Sequence, residues 1–515
     1  MVSDKAATQC DFRSWRSAIK VLGIDIGTGG SRSVILDELG CIVASATEDH
    51  RAFASPQTGW AEQEPEDWWR ACQISVPKVL KNANLTGDDI SCVGISGQMH
   101  GAVVLDARGH VIRPAPIWCD QRTERQSYDL AQRIGLDRII QLTSNAPLTN
   151  FTLTKFLWMR ENEPHNWDRV QSVMLPKDYV RFRLTGECAT DMADASGTLL
   201  LDVGNRRWSS EMLDRVGMDE RVLPKLYESP DICGQVSRQG ATSTGLKAGT
   251  PVVAGAGDQA AGAISMGIVR PGAVSVTIGT SGVVFAATDR PVLDPKGRLH
   301  TFCHALPGRW HVMGVTQAAG LSLRWFRDRF GTSGNGAHPY DLLCEEAKTA
   351  PSGADGLLWA PYLMGERTPH LDPNARGALV GLTSLHERAH IIRAILEGVA
   401  FSLRDTFTIF NEIDVPVYEI RLGGGGARSP LWRQIQADIF GSGVETVQAE
   451  EGAAYGAAIL AGVGAKVWQS VDEACQATVR TAQRVAPDPE AVSLMNSKYL
   501  AYRRVYPAVR EIFAT

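Results

Sequence analysis

Two carboxylates stand where chemistry on a phosphate could be done, Asp25 and Asp258. Asp258 sits in Gly255-Ala-Gly-Asp-Gln259, where an apolar run hands over to a helical stretch, so bare backbone lets its side chain reach a cleft. A helix start favours the ionised carboxylate, which could accept a proton from a hydroxyl attacking a γ-phosphate. The competing reading of Asp258 is a simple N-cap. Asp25 ends the run Val21 to Ile26 and is the natural second acid, placed with Asp258 to hold Mg²⁺ directly or through water.

Around these acids a glycine pattern occurs twice. Ile26-Gly-Thr-Gly-Gly30 returns as Ile278-Gly-Thr-Ser-Gly282, at half-chain spacing. Each copy lies between β-branched runs, which spells strand, tight turn, strand. The two turns, Thr28 and Gly29 in one and Gly279, Thr280 and Ser281 in the other, expose N–H groups and hydroxyls of the kind that hold anions. Two copies predict two related domains facing across a cleft that binds a polyphosphate nucleotide. The run Gly423 to Gly426, followed by Ala427, lets backbone approach a flat group such as adenine or ribose. No GxxxxGK[ST] occurs, which excludes a P-loop. Gly255-x-Gly257-x-x-Ala260 imitates a dinucleotide fingerprint, but the acid required about 20 residues later is missing.

Polar residues at a strand-to-strand turn, Gln98-Met99-His100 between Gly97 and Gly101, mark a candidate substrate site. Asp120 and Arg122 read as a surface ion pair. The 515 residues allow two or three domains, and alternating strands and helices predict an α/β fold. Apolar content of 44% is ordinary, and a net charge of −5 offers nothing to nucleic acid or an anionic membrane surface. No apolar run reaches the roughly 20 residues of a membrane helix. Residues 1 to 20 lack an apolar secretory core and read as a disordered tail. Ten scattered cysteines without a C-x-x-C pair suit a reducing cytoplasm rather than zinc.

Local signals place several elements. Pro65 opens a helix whose apolar face is Trp69, Cys72, Val76 and Leu80, with a bend expected at Pro77. Apolar sequence restarts at Thr250-Pro251 after a loop-rich stretch, which puts the boundary there: 21 to 250, then 251 to 515. Ser384 and Glu387 have capping-box spacing ahead of a helix. Ser429 and Pro430 start another that ends near Phe440 before Gly441, and Glu450-Glu-Gly452 precedes a small-residue helix.

Taken together, Asp25-Ile-Gly-Thr28, Ile278-Gly-Thr-Ser-Gly282 and Leu422-Gly-Gly-Gly-Gly-Ala427 resemble the phosphate and adenosine motifs of the actin/Hsp70/sugar-kinase fold. Gln98-Met-His-Gly101, Leu175-Pro-Lys-Asp-Tyr179, Asp191 to Thr198, Phe302 to Pro307 and Gly365-Glu-Arg-Thr-Pro-His370 are similar to the xylulokinases among the FGGY carbohydrate kinases. The resemblance spans Val21 to Ala465 and implies two ribonuclease H-like (actin-like ATPase) domains with a central cleft. It also implies ATP-dependent phosphorylation of D-xylulose, with Asp258 as base and Asp25 near Mg²⁺. Gln98, Met99, His100 and Gln259 would meet the sugar. The two Gly-Thr turns would hold phosphates, and Gly424, Gly425, Gly426 and Ala427 adenosine. By analogy the chain would be a homodimer. Gln259 stands where such enzymes usually carry Asn, and Cys119 replaces another Asn, so ribulose or an arabinitol remains an alternative acceptor. A non-enzymatic actin-like ATP switch is the rival of a different class.

Overall fold

The computed structural model describes residues 19–331, 338–448 and 451–513. The expected tail therefore lies, except for its last two residues, outside the described residues, as does Glu450. The first sheet contains β1 (Lys20–Ile26), β2 (Gly30–Asp37), β3 (Ile42–Asp49), β4 (Ile90–Gly97), β5 (Ile232–Gln235) and β6 (Pro251–Val253), in the order β5-β6-β4-β1-β2-β3. The second contains β7 (Gly272–Ile278), β8 (Gly282–Thr288), β9 (His300–Cys303), β10 (Trp310–Thr316), β11 (Val417–Gly424), β12 (Val444–Val447) and β13 (Thr481–Val485), in the order β9-β10-β8-β7-β11-β12-β13.

The repeated glycine turns organise both sheets alike. β1 pairs antiparallel with β2 through the first turn and parallel with β4 on its other side; β7 does the same with β8 and β11. Each sheet thus holds antiparallel strands on one side of β1 or β7 and a parallel partner on the other, and the two Gly-Thr turns occupy equivalent places.

Six helices matter to the site: α1 (Pro65–Ala83), α2 (Thr152–Asn162), α3 (Asp258–Ser265), α4 (Arg388–Glu412), α5 (Pro430–Phe440) and α6 (Gly452–Gly464). Trp69, Cys72, Val76 and Leu80 of α1 are buried as their spacing predicts, and the helix continues through Pro77, on its exposed side. α5 follows its signals closely: the Ser429 hydroxyl accepts from the Trp432 N–H, Pro430 is the first helical residue and Gly441 closes the end in the left-handed region. The cap of α4 lies three residues later than expected. Glu387 itself is the N-cap, and the reciprocal partner is His390 rather than Ser384.

Strand β6 is the larger correction. It pairs parallel with β4 and antiparallel with β5, so Pro251–Val253 completes the first sheet instead of beginning the second half. The loop-rich stretch before it is an excursion within the first lobe, and the chain passes to the second sheet only after α3.

Alternation in β1 decides which acid faces what. Leu22, Ile24 and Ile26 pack with Trp68 and Trp69 of α1. Val21 packs on the opposite face with Ala454 and Ala458 of α6. Gly23 and Asp25 share that second face by the two-residue period. Helix α6 comes so close that a Cβ on Gly23 would lie 2.0 Å from the Ala454 carbonyl oxygen, and one on Gly94 of β4 2.1 Å from that of Ala457. α6 meets α3 equally closely, since a Cβ on Gly456 would be 1.9 Å from the Ala261 carbonyl oxygen.

Replacing Gly94 by Ala should therefore destabilise the protein by about 1–3 kcal/mol or more, because the methyl meets main chain that cannot yield. A lowered urea midpoint with unchanged slope is the expected result.

Candidate active site

Asp258 is the first residue of α3, and Gly257 rather than Asp258 is the cap. Its side-chain partner is the neighbouring Gln259, whose amide donates at 3.2 Å. Burial and the nearby charge of Asp25 push the Asp258 carboxyl up to about 7. The helix start was expected to keep it ionised; in the bare site desolvation and the second acid outweigh that effect. Asp25 accepts a hydrogen bond from Ser96 at 2.7 Å, and burial raises it too.

Two half-buried acids that repel one another and retain free lone pairs suit a hard cation with oxygen ligands. Among the described residues no group of three metal-ligating side chains exists. Asp25 and Asp258 would therefore hold Mg²⁺ together with phosphate and water oxygens, as that ion prefers.

The phosphate turns are built from main chain. Gly27 N–H donates to the Gly30 carbonyl at 3.0 Å and Gly279 N–H to that of Ser281 at 2.9 Å. Gly29 has open space around it, and Gly279 and Thr280 are exposed. The Thr28 hydroxyl departs from expectation. It accepts from the Trp118 indole at 2.9 Å and donates to Gln98 Oε1 at 3.4 Å, so the first turn offers its backbone, not this hydroxyl, to an anion. Gln98 in turn donates to Gln63 at 2.8 Å, and Gln63 donates to the Thr28 carbonyl at 2.8 Å, closing a ring between turn and substrate loop.

Two cavities meet at the glycine run. One, of about 840 Å³, is lined by Asp258, Gln259, Gly424, Gly425 and Ala427. The other, of about 620 Å³, is lined by Gly279, Thr280, Gly425, Gly426, Tyr340 and Trp432. Both have the size of small-molecule sites. A Cβ on Gly426 would lie 2.6 Å from that of Ile278, so the run packs directly on the end of β7.

Gln98, Met99 and His100 are buried and line neither cavity. Met99 nevertheless packs against the residue that caps α3: a Cβ on Gly257 would lie 2.8 Å from Met99 Cγ. His100 adopts φ +66°, its Nδ1 lies 2.9 Å from the Gly197 carbonyl oxygen, and Phe151 meets its ring edge-on at 5.1 Å. Burial holds the imidazole well below its usual pKa, hence neutral.

Several polar residues here carried no local sequence signal. A third cavity of about 360 Å³ lies between Gln121, Thr149 and Asn150 on one side and Gln317, Glu366 and Arg367 on the other. Asn150 is fully buried, yet neither of its amide atoms has a partner. Burial lowers Arg367 to about 10. Glu366 and Arg367 could be found beforehand only through the family resemblance. Asp120 and Arg122 prove not to be a surface pair. Both side chains are buried; Arg122 bonds Asp120 through two nitrogens, pairs with Glu62 at 2.7 Å and stacks 3.7 Å over Trp60. The Asp120 carboxylate also accepts from Ala61 N–H at 2.7 Å.

Comparison with known proteins follows the same division. Residues 20–265 match the N-terminal domain of the FGGY family of carbohydrate kinases and residues 274–465 its C-terminal domain. The xylulose kinase of Bacillus subtilis is 37% identical over 492 residues, which is 96% of this chain and 97% of that protein. That of Escherichia coli is 38% identical over 494 residues, 96% and 100% of the two chains. The crystal structure of xylulose kinase from Rhodospirillum rubrum superposes with a TM-score of 0.88 at 28% identity, covering 96% of this chain and 100% of that one.

Removing Asp120 from the buried pair leaves the Arg122 guanidinium with Glu62 as its remaining carboxylate and the Ala61 N–H without its acceptor. Asp120→Ala should cost about 3–5 kcal/mol of stability, read as a fall in the urea midpoint.

Proposed function

Because this chain belongs to the FGGY family of carbohydrate kinases, we propose that it transfers the γ-phosphoryl group of ATP to the terminal hydroxyl of D-xylulose, giving D-xylulose 5-phosphate and ADP. The carrying observation is the position of Asp258. It lines the cavity that ends at Gly424 and Gly425, while its own N-cap, Gly257, packs against Met99 of the substrate loop. Nucleotide and sugar can therefore approach one carboxylate from two sides.

In this reading the sugar oxygen attacks the γ-phosphorus, the bond to the β–γ bridging oxygen breaks, and the hydroxyl proton passes to Asp258. Mg²⁺, when bound, neutralises phosphate charge and lowers the Asp258 carboxyl towards its ionised form. Asp25 and Asp258 would hold that ion, and Ser96 fixes the Asp25 carboxylate. The main-chain N–H groups of Gly29, Thr280 and Ser281 receive the phosphates, and the cavity bounded by Gly426, Trp432 and Tyr340 receives adenosine. Met99 and the neutral imidazole of His100 meet the sugar, with Gln98 behind them. We place the reaction in the cytoplasm; the nine described cysteines are all free thiols, and no helix among the described residues is long and apolar enough to cross a membrane.

Gln259 supports a second reading of the acceptor. Its amide bonds Asp258 and lines the same cavity, so its extra methylene bears directly on which hydroxyl chain fits. Ribulose or an arabinitol would then be preferred.

Asp258→Ala should lower kcat by roughly 10²–10⁴-fold while sugar affinity changes little; an unchanged kcat would remove Asp258 from its role. His100→Ala should raise KM for the sugar, and a variant altered only towards ATP would contradict that placement. In a coupled ADP assay across pentuloses and pentitols, D-xylulose should show the highest kcat/KM, and a faster ribulose or arabinitol would decide for the second reading.

A further inference from the structure

Lys155 is a fully buried cation to which the reaction above gives no task. It lies on the fourth residue of α2, where the helix start makes a positive charge unfavourable. Its ammonium forms no ion pair among the described residues within the 4.0 Å limit. Instead it donates to two main-chain carbonyl oxygens, that of His100 at 2.9 Å and that of Asn150 at 2.5 Å. Burial lowers its pKa to about 7; Arg367 and Arg122 repel it, while Asp120 and Cys119 act the other way. Desolvation and helix position both oppose a charge here, so the residue is explained by what its N–H groups hold.

What they hold is the main chain of two segments, the loop that carries His100 and the residue Asn150 that lines the 360 Å³ cavity. His100 carries a left-handed backbone, strained for a residue with a Cβ, and its carbonyl is met by Lys155 and by the Thr152 hydroxyl at 3.3 Å. Asn150 precedes α2 and lines the 360 Å³ cavity with a side-chain amide that has no protein partner. One ammonium thus ties the loop that presents His100 to the segment that presents Asn150.

We propose that Lys155 is a positioning residue for the sugar: by clamping the carbonyls of His100 and Asn150 it fixes the loop that presents His100 relative to the segment that brings Asn150 to its cavity. The role rests on the sugar-kinase reading but concerns the acceptor alone, so it predicts an effect on one substrate. A purely structural lysine would affect both substrates, or stability only.

The test combines Lys155→Gln, Lys155→Arg and Lys155→Gln in a His100→Ala background, each assayed for KM towards D-xylulose and towards ATP. Lys155→Gln should raise KM for D-xylulose about ten- to a hundredfold with little change for ATP. Lys155→Arg, which keeps the donors, should recover part of the loss. In the His100→Ala background the same change should add little, because the two residues act through one contact. An unchanged KM for D-xylulose, equal losses for both substrates, or fully additive losses would overturn the proposal. Should Lys155→Gln fail to fold, amide hydrogen exchange on the wild-type enzyme decides: D-xylulose should slow peptides covering 99–102 and 149–154 together, and slowing of only one would overturn it. A wild-type enzyme that phosphorylates no pentulose would instead defeat the sugar-kinase reading. An active enzyme whose Lys155→Gln variant keeps its KM defeats this inference alone.

Discussion

Close approach of bare backbone holds the site together. Helix α6 lies on β1 and β4 at distances only glycine permits, at Gly23 and Gly94, and its own Gly456 admits α3 just as closely. A chain segment from near the C-terminus thereby becomes the cover of the first sheet and the seat of the helix that Asp258 opens. Since Gly23 and Asp25 share one face of β1, the contact that admits α6 also turns Asp25 towards α3. The meeting of the two acids follows from packing, before any ligand is considered.

That arrangement carries an electrostatic cost that is informative about function. Asp25 and Asp258 are both raised by burial, and Asp258 further by its neighbour. A protein selected only for stability would replace one by an amide. Several other buried charges are matched directly: Arg122 by Asp120 and Glu62, and Lys177 by Asp178 and Asp191. The unmatched pair sits where a cation and phosphates would supply the missing charge balance.

How much of this was legible in the chain depends on how local the deciding interaction is. The Ser429-Pro430 start and Gly441 stop of α5 could be read directly because a cap, a fixed φ and a left-handed residue act within one turn. The paired Gly-Thr turns were legible because the duplication repeats a short pattern. Pro251–Val253 was assigned to the second half because its apolar run follows a loop-rich stretch; the partners that fix its sheet, β4 and β5, lie elsewhere in the chain. Asp120 and Arg122 looked like surface residues for the same reason. What buries them, Trp60, Glu62 and Trp158, comes from other elements. Asn150 had no pattern at all, being a single amide whose importance lies in the partner it lacks.

The hydroxyl of Thr28 shows why the two substrates cannot be treated as independent. The sequence offers it as a phosphate ligand, but Trp118 and Gln98 occupy it, and Gln63 joins Gln98 to the Thr28 carbonyl. The first phosphate turn is therefore braced by residues that adjoin the sugar loop. Any displacement of Gln98 must break or lengthen a bond to the turn that faces the nucleotide. In a phosphoryl transfer, where positioning supplies most of the acceleration, such a brace keeps donor and acceptor sites in register across the cleft. The hydroxyl that the sequence offers to an anion is thus also the link between the first glycine turn and the Gln98 loop.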